Sequence, residues 1–244
     1  MLKILFGIII TLLLIIIAII LIPLTALGLV PGLSPLFGAG PKDFGISITK
    51  EDSLAARAKA GIEIVSLAKN ADPSKDFTLE GRKDANFTLD SKELTAFTNN
   101  RPWIKYPIKN VQVIIDKDGT IESSATLIVS RVMPFAVALG YSEGQIKDVM
   151  QKYNIPPFEV PLYVKGKGSV INDVVSIDAQ NIKIGAIPVP GDIVTQINKG
   201  AESILDDIIQ KHSASFHAET LNFSDGKMNF KGTVPRKQYV MTTE

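Results

Sequence analysis

An uncharged apolar run near the amino terminus constrains this chain more than any other feature. Residues 4–22 carry no charged side chain, and sixteen of these nineteen residues are Ile, Leu or Phe. At about 1.5 Å of rise per residue, a helix of this length extends about 28 Å, close to the thickness of the hydrocarbon core of a bilayer. The sixteen large apolar residues contribute on the order of −5 to −10 kcal/mol to membrane insertion. The run therefore predicts a transmembrane anchor, which we place at residues 1–30.

A cleaved signal peptide is the alternative interpretation of this segment. Signal peptides carry a shorter apolar region of about 7–15 residues, followed by small residues at the cleavage site. The run here is longer, although Ala26-Leu27-Gly28 resembles such a cleavage site. Lys3 is the only charged side chain before Lys42, so the positive-inside rule favours a cytoplasmic amino terminus. We expect a single-pass protein of the cell membrane with an extracytoplasmic domain.

The chain after the anchor is electrically balanced and lacks cysteine. It contains 26 basic and 25 acidic residues, and since Lys3 lies in the anchor, the remainder is neutral. A neutral surface lacks the basic patch that phosphate backbones require, so we expect no nucleic-acid partner. Without cysteine, the domain has neither disulfides nor thiolate metal ligands. Its hydrophobic core must stabilise it, which a length of about 200 residues allows.

Composition divides this remainder into three segments. Residues 31–45 are rich in Pro and Gly, which predicts a linker. Residues 46–236 combine periodic helical and strand patterns, which predicts an extracytoplasmic α+β domain. Residues 237–244 follow the last strand pattern, and we expect a flexible tail there.

Capping signals and apolar periodicity predict the helices of the domain. Thr49-Lys50-Glu51-Asp52 has the pattern of a capping box, in which the first and last side chains bond each other's backbone N–H groups. We expect this helix to continue to residue 69, with an apolar stripe that includes Leu54. The other predicted helices span residues 91–97 and 142–153, and a long amphipathic helix includes residues 193–210.

Period-two alternation predicts strands between these helices. Two Asp-Gly dipeptides, Asp118-Gly119 and Asp225-Gly226, each lie between alternating runs, which is a strong short-range signal for a β-hairpin. The predicted strands occupy residues 77–79, 87–89, 111–115, 121–129, 160–167, 170–179, 182–184, 219–223 and 227–234. Because a helix precedes each Asp-Gly hairpin, one hypothesis is a duplicated unit. The alternative is that two common hairpins occur by chance.

The order of these features resembles a known bacterial family. The features are the single span, the run Phe-Thr-Leu-Asp-Ser-Lys-Glu-Leu at residues 87–94, the Ile-Pro-Val-Pro helix start at residues 187–190 and the two hairpins. Together they resemble the YpmS-like bacterial single-pass membrane proteins and, more distantly, the TULIP-type (LmeA-like) lipid-binding domains. The resemblance implies a curved antiparallel β-sheet wrapped around amphipathic helices, with an apolar groove for lipid. The predicted fold class is therefore α+β, with a transmembrane helix ahead of this sheet domain.

Residues with catalytic or metal-binding chemistry do not form a recognisable motif. The chain has no Gly-x-Ser-x-Gly nucleophile motif and no cysteine nucleophile. His212 and His217 are five positions apart, whereas metal-binding histidine pairs on a helix are four apart. We interpret Glu202, Asp206 and Asp207 as a solvated helix face. We therefore expect a protein that is not an enzyme and that has no cofactor and no metal ion.

The candidate ligand-binding residues are apolar or aromatic. The long helix carries an isoleucine stripe, and residues 101–107 contain the only tryptophan, which is either an exposed membrane-interface anchor or part of the core. The predicted ligand contacts are Ile193, Ile197, Ile204, Ile208, Trp103 and Tyr106. We expect the domain to bind a membrane lipid or another apolar ligand, in a role such as envelope maintenance. The alternative is a structural or interaction domain with a dry core that contacts an envelope protein partner.

Overall fold

The computed structural model describes residues 40–68, 70–72, 75–99, 101–144, 146–147 and 159–242. The anchor predicted at residues 1–30 and most of the predicted linker lie outside these residues. Within the described part of the chain, no helix has the length and apolarity needed to cross a membrane.

The described residues form an α+β fold. The helices are α1 (Lys50–Ala60), α2 (Ser91–Asn99), α3 (Val132–Ala138), which follows a 3₁₀ turn at Val129–Arg131, and α4 (Gly191–Lys211). The strands are β1 (Glu63–Leu67), β2 (Thr78–Glu80), β3 (Lys83–Asp90), β4 (Ile108–Ile115), β5 (Ile121–Ile128), β6 (Glu159–Ile171), β7 (Val174–Ile184), β8 (Ile187–Pro188), β9 (His217–Ser224), β10 (Lys227–Val234) and β11 (Lys237–Met241).

The strands of the described residues form two sheets. The larger sheet has the order β3-β10-β9-β6-β5-β4, and β7 pairs with β6 while β8 pairs with β7. All of its pairings are antiparallel, and its end strands β3 and β4 do not pair with each other, so the sheet is open. The smaller sheet has the order β1-β11-β2, with β1 parallel to β11. The predicted α+β class with a mostly antiparallel sheet is confirmed.

Strand β6 joins the two halves of the larger sheet. Its first part pairs with β5, and its last two residues, Val170 and Ile171, pair with Leu221 and Thr220 of β9. Its other edge pairs with β7, with a register shift between Lys165 and Gly166. The bulge requires glycine, because a Cβ atom at Gly166 would collide with the backbone of β7.

The capping box that predicts α1 is confirmed. The Thr49 hydroxyl accepts a hydrogen bond from Asp52 N (3.2 Å), and the Asp52 carboxylate accepts one from Thr49 N (2.8 Å). The predicted continuation to residue 69 is wrong, because Gly61 adopts the left-handed conformation (φ 65°) and ends the helix after Ala60. The chain then forms β1, and Leu54 is 53% exposed instead of facing the core.

Both predicted Asp-Gly hairpins are confirmed, and their turns meet in space. They connect β4 to β5 and β9 to β10. The Asp225 N–H donates to the Lys117 carbonyl oxygen (3.1 Å), which joins one turn to the other. Duplication of a helix–hairpin unit remains a hypothesis.

Two predicted segments have a different outcome. Residues 143–144 and 146–147 are helical, but residues 148–153 of the helix predicted at 142–153 lie outside the described residues. Strand β11 replaces most of the flexible tail that we expected at residues 237–244. It pairs on both sides, and Val240 and Met241 are buried, so apolar burial orders this segment.

Candidate functional site

The isoleucine stripe of α4 faces the protein core. Ile197 and Ile208 are fully buried, and Ile193 and Ile204 are partly buried against the same apolar cluster. Glu202 and Asp206, which we interpreted together with Asp207 as a solvated face, instead bond the edge of β7, as does Asn198. The side-chain oxygens of Asn198, Glu202 and Asp206 accept hydrogen bonds from the backbone N–H groups of Ala179, Ile177 and Val175 (3.2, 2.8 and 2.9 Å). Helix α4 therefore covers this edge, and the role of its isoleucines as ligand contacts stays a prediction.

Trp103 and Tyr106 are also buried, at 2% and 3% exposure. The Trp103 Nε1–H donates to the Asp76 carboxylate (3.1 Å), and its ring stacks on Phe77 with centroids 4.8 Å apart. The interpretation of Trp103 as an exposed membrane-interface anchor is therefore wrong. Its role as a ligand contact, and that of Tyr106, stays a prediction.

A surface cavity lies where the described chain begins. We call residues 40–46 the connector, because they lead from the predicted anchor into the domain. The start of the connector forms one wall of this cavity, which we therefore call the connector cavity. It has a volume of about 350 Å³, and its walls include Pro41, Lys42, Leu162, Tyr163, Lys183 and Ala186. This size falls in the range of small-molecule sites, about 300–1,000 Å³.

The connector is bound to the outer face of the sheet. Gln112 on β4 accepts hydrogen bonds from Phe44 N (2.7 Å) and Ile46 N (3.4 Å), and its amide nitrogen donates to the Asp43 carboxylate (2.8 Å). The Phe44 ring meets the Tyr163 ring edge to face, with centroids 6.5 Å apart. These contacts fix the wall of the cavity against β4 and β6.

Glu122 on β5 organises the charges beside the cavity. Its carboxylate accepts hydrogen bonds from Lys165 Nζ (2.9 Å), Lys42 Nζ (3.0 Å) and the Tyr163 hydroxyl (2.9 Å). The hydrogen bond from Lys165, supported by those from Lys42 and Tyr163, lowers the pKa of Glu122 to about 2. Burial, followed by the hydrogen bond to Glu122 and the charge of that carboxylate, raises the pKa of Tyr163 to about 12. At neutral pH the carboxylate is therefore ionised and the phenol is neutral.

Two lysines lie close to the Tyr163 ring in the cavity wall. Lys42 Nζ lies 4.8 Å and Lys183 Nζ 5.7 Å from the centroid of the Tyr163 ring, within cation–π range. Glu122 pairs with Lys42 and Lys165, whereas Lys183 has no carboxylate within ion-pair distance in the described ranges. The site therefore combines excess positive charge with apolar walls from Pro41, Leu162 and Ala186, a chemistry that fits an anionic group attached to an apolar one.

Histidines and carboxylates do not converge on a metal site within the described residues, where no group of three or more metal-binding side chains occurs. His217 Nδ1 lies 2.7 Å from the Asp173 carboxylate, which also accepts a hydrogen bond from the Ala218 N–H (2.6 Å). His212 contacts the Phe77 ring, and burial followed by the Lys211 charge lowers its pKa.

Comparison with protein-family models, with curated proteins and with solved structures finds no match to this chain. The resemblance to YpmS-like proteins and TULIP-type domains therefore stays a hypothesis based on the order of the sequence features.

Proposed function

We propose that this chain is a single-pass membrane protein whose extracytoplasmic domain binds an anionic membrane lipid in the connector cavity. The observation that carries the proposal is that Lys42 and Lys183 both lie within cation–π range of Tyr163, in a cavity that begins at Gly40. Residue 40 is ten positions after the end of the predicted anchor. Since an extended chain spans at most about 3.6 Å per residue, the cavity lies no more than about 36 Å of chain from the predicted membrane segment.

Covalent tethering favours such a site. A cationic side chain near an anionic bilayer surface gains about 1 kcal/mol, an energy too small to hold a free domain on the membrane with two lysines. An anchor removes that requirement, because it keeps the domain at a high effective concentration next to the headgroups. A neutral domain with a local excess of lysine at the connector is suited to headgroup binding of this kind.

The geometry supports a headgroup site better than an acyl-chain groove along α4. Ile197 and Ile208 already have protein neighbours that enclose them, so a bound chain there would have to displace core side chains. In the connector cavity, Pro41 and Ala186 offer apolar surface without such a displacement.

Native mass spectrometry of the full-length chain, extracted from membranes in a mild non-ionic detergent, tests the proposal. We expect the wild type to retain an anionic phospholipid. Lys183→Gln should reduce the retained fraction several-fold, because it removes the lysine that lacks a carboxylate partner. Lys199→Gln, an exposed lysine on α4, is the matched control and should retain lipid like the wild type. Equal retention by the Lys183 and Lys199 variants would contradict the proposal.

A second function, a lipid-free interaction domain for an envelope protein partner, is favoured by one observation. The apolar face of α4 is packed in the core, as a structural domain requires. If the wild type carries no lipid under the conditions above, this function becomes the better explanation, and cross-linking in intact cells with a photoreactive residue at position 174 should then capture a protein. Val174 is a suitable position because it is 64% exposed at the tip of the β6–β7 hairpin.

A further inference from the structure

A second cavity lies between helix α1 and the segment that follows α2. Its volume is about 630 Å³, so it is larger than the connector cavity. Its cationic walls come from Lys50, Arg57 and Arg101. Its apolar walls come from Ile48, Leu54 and Pro102. We call it the arginine cavity.

Arg101 is the most unusual group in this cavity. Its Nε and Nη2 atoms are buried and have no hydrogen-bond partner among the described residues. The guanidinium carbon lies 4.9 Å from the Phe97 ring centroid and 5.6 Å from that of Tyr106, so aromatic faces hold the group in place. A buried N–H donor without an acceptor costs free energy, which a bound acceptor would recover.

The charge of Arg101 persists at neutral pH. Burial lowers its pKa to about 10, with Arg57 acting in the same direction and Tyr106 against it. Since a pKa of about 10 is well above 7, the guanidinium remains protonated. Burial also lowers the pKa of Arg57. The two arginines therefore place two positive charges beside one cavity.

Carboxylates near the cavity are engaged elsewhere. In the described ranges, neither arginine lies within ion-pair distance of a carboxylate, although Lys59 on the same helix pairs with Glu93. Asp52 binds the Thr49 N–H and pairs with Lys92 (3.0 Å). Glu51 accepts hydrogen bonds from its own backbone N–H and from the Thr49 hydroxyl.

We propose that the arginine cavity binds a phosphate group, with the guanidinium groups of Arg57 and Arg101 as its ligands. Guanidinium presents parallel N–H donors that match two oxygens of a phosphate, and such charge-assisted pairs are about twice as strong as neutral hydrogen bonds. The volume exceeds that of a phosphate ion, and the apolar walls accommodate a further part of a phosphorylated molecule. This phosphate belongs either to a lipid headgroup or to a soluble compound. The proposal is independent of the connector cavity.

Calorimetric titration of the full-length chain, in a phosphate-free non-ionic detergent, tests this proposal with two probes. One probe is inorganic phosphate, and the other is short-chain dihexanoyl phosphatidic acid. We expect binding of at least one probe. Arg101→Gln and Arg57→Gln should each weaken it at least tenfold. Lys199→Gln, at an exposed position on α4 and outside both cavities, is the matched control and should leave it unchanged.

Leu54 provides a variant that does not disturb the core. Leu54→Glu places a carboxylate at the cavity wall from an exposed helical position and should abolish binding by charge repulsion. Leu54→Gln is the neutral control and should bind like the wild type. This pair decides the question if Arg101→Gln fails to fold, as judged by its thermal melt.

The two probes separate the sources of the phosphate. Equal binding of both shows that the phosphate group alone is recognised, whereas binding of phosphatidic acid only assigns the site to a lipid headgroup. Both results support the proposal if Leu54→Glu eliminates the signal. The proposal is overturned if neither probe binds, or if folded Arg57→Gln and Leu54→Glu variants bind as tightly as the wild type. The proposal is also overturned if Lys183→Gln abolishes binding while the Arg57 and Leu54 variants bind normally, because the signal then belongs to the connector cavity.

Discussion

At the scale of single residues, two carboxylates connect distant parts of the chain. Asp76 has a fully buried side chain that accepts hydrogen bonds from Trp103 Nε1 and Met241 N and pairs with Lys105 Nζ (2.7 Å). Nearer the surface, the Glu122 carboxylate accepts hydrogen bonds from Lys42, Tyr163 and Lys165. Neither role could be predicted from the sequence, because each set of partners is far apart in the chain and no short-range pattern relates them.

Replacement of Asp76 should be strongly destabilising. Asp76→Ala leaves the Trp103 N–H and the Met241 N–H without an acceptor and leaves Lys105 without its partner. Removal of one member of a buried charge pair typically costs about 3–5 kcal/mol. Urea unfolding followed by the fluorescence of Trp103, the only tryptophan, should show this loss. Asp84→Asn, at an exposed position on β3, should change the unfolding free energy by less than about 0.5 kcal/mol.

Glu122 should make stability depend on pH in the acidic range. Its pKa of about 2 in the folded state lies below the ordinary value of 4.5, so its contribution is present above pH 4.5 and is lost as pH falls towards 2. Urea unfolding at several pH values should show wild type more stable than Glu122→Gln at pH 6, and the difference should shrink between pH 4.5 and pH 2. A difference that stays constant over this range would exclude the proposed ionisation.

At the scale of elements, α2 and α4 cover strand edges in the same way. Ser91, Thr95 and Asn99 of α2 accept hydrogen bonds from the N–H groups of Ile115, Val113 and Val111 of β4 (2.9, 2.9 and 2.8 Å). Four helical residues rise about 6 Å and two strand residues about 6.7 Å. A helix antiparallel to a strand can therefore place every fourth polar side chain opposite every second N–H, as α4 does along β7.

Loss of one such contact should weaken the edge of β7. Glu202→Ala leaves the Ile177 N–H without its charged acceptor, and we expect a loss of about 1.5–3 kcal/mol. An uncovered edge also pairs readily with other chains, so size-exclusion chromatography should show more self-association than in the wild type. Lys199→Ala on the same helix is the control and should change neither property. Unchanged stability and elution of Glu202→Ala would show that the contact is dispensable.

Sequence analysis predicted elements where the signal is local. The capping box at Thr49, the two Asp-Gly turns and the amphipathic periodicity of α4 each lie within a short window and are confirmed. It failed at Glu202 and Asp206, because an acidic side chain in solvent and one that bonds a strand edge look the same in sequence. The arginine cavity was missed for a different reason. Arg57 and Arg101 are far apart in the chain and come to line one cavity only through the packing of α1 against the end of α2.

At the scale of the whole molecule, the two ends of the domain are integrated into its sheets. The connector lies across β4 and β6, and β11 lies between β1 and β2. The fold class followed from alternating patterns and capping signals. The association of the two ends with the sheets did not, because it depends on contacts between residues that are far apart in the chain, such as Phe44 with Gln112 and Glu63 with Lys237.

Truncation should therefore have an unequal effect at neighbouring positions. A chain that ends at Arg236 lacks β11, which leaves β1 and β2 without their common partner and exposes the apolar side chains that Val240 covers. We expect it to lose cooperative thermal unfolding, measured by circular dichroism and by Trp103 fluorescence. A chain that ends at Thr242 keeps all of β11 and should melt like the full-length protein. Cooperative melting of the shorter chain would show that the larger sheet folds alone.

The position of β11 between β1 and β2 also determines how early in synthesis the smaller sheet can form. Strands β1 and β2 leave the ribosome early, but Glu63 pairs with Lys237, and Gln238 pairs with both Ile64 and Leu79. These early strands have no partner strand until β11, more than 150 residues later in the chain, has been synthesised. A nascent chain of this protein therefore carries β1 and β2 unpaired until β11 has left the ribosome, and a factor that shields these strands during this interval would raise the yield of folded molecules.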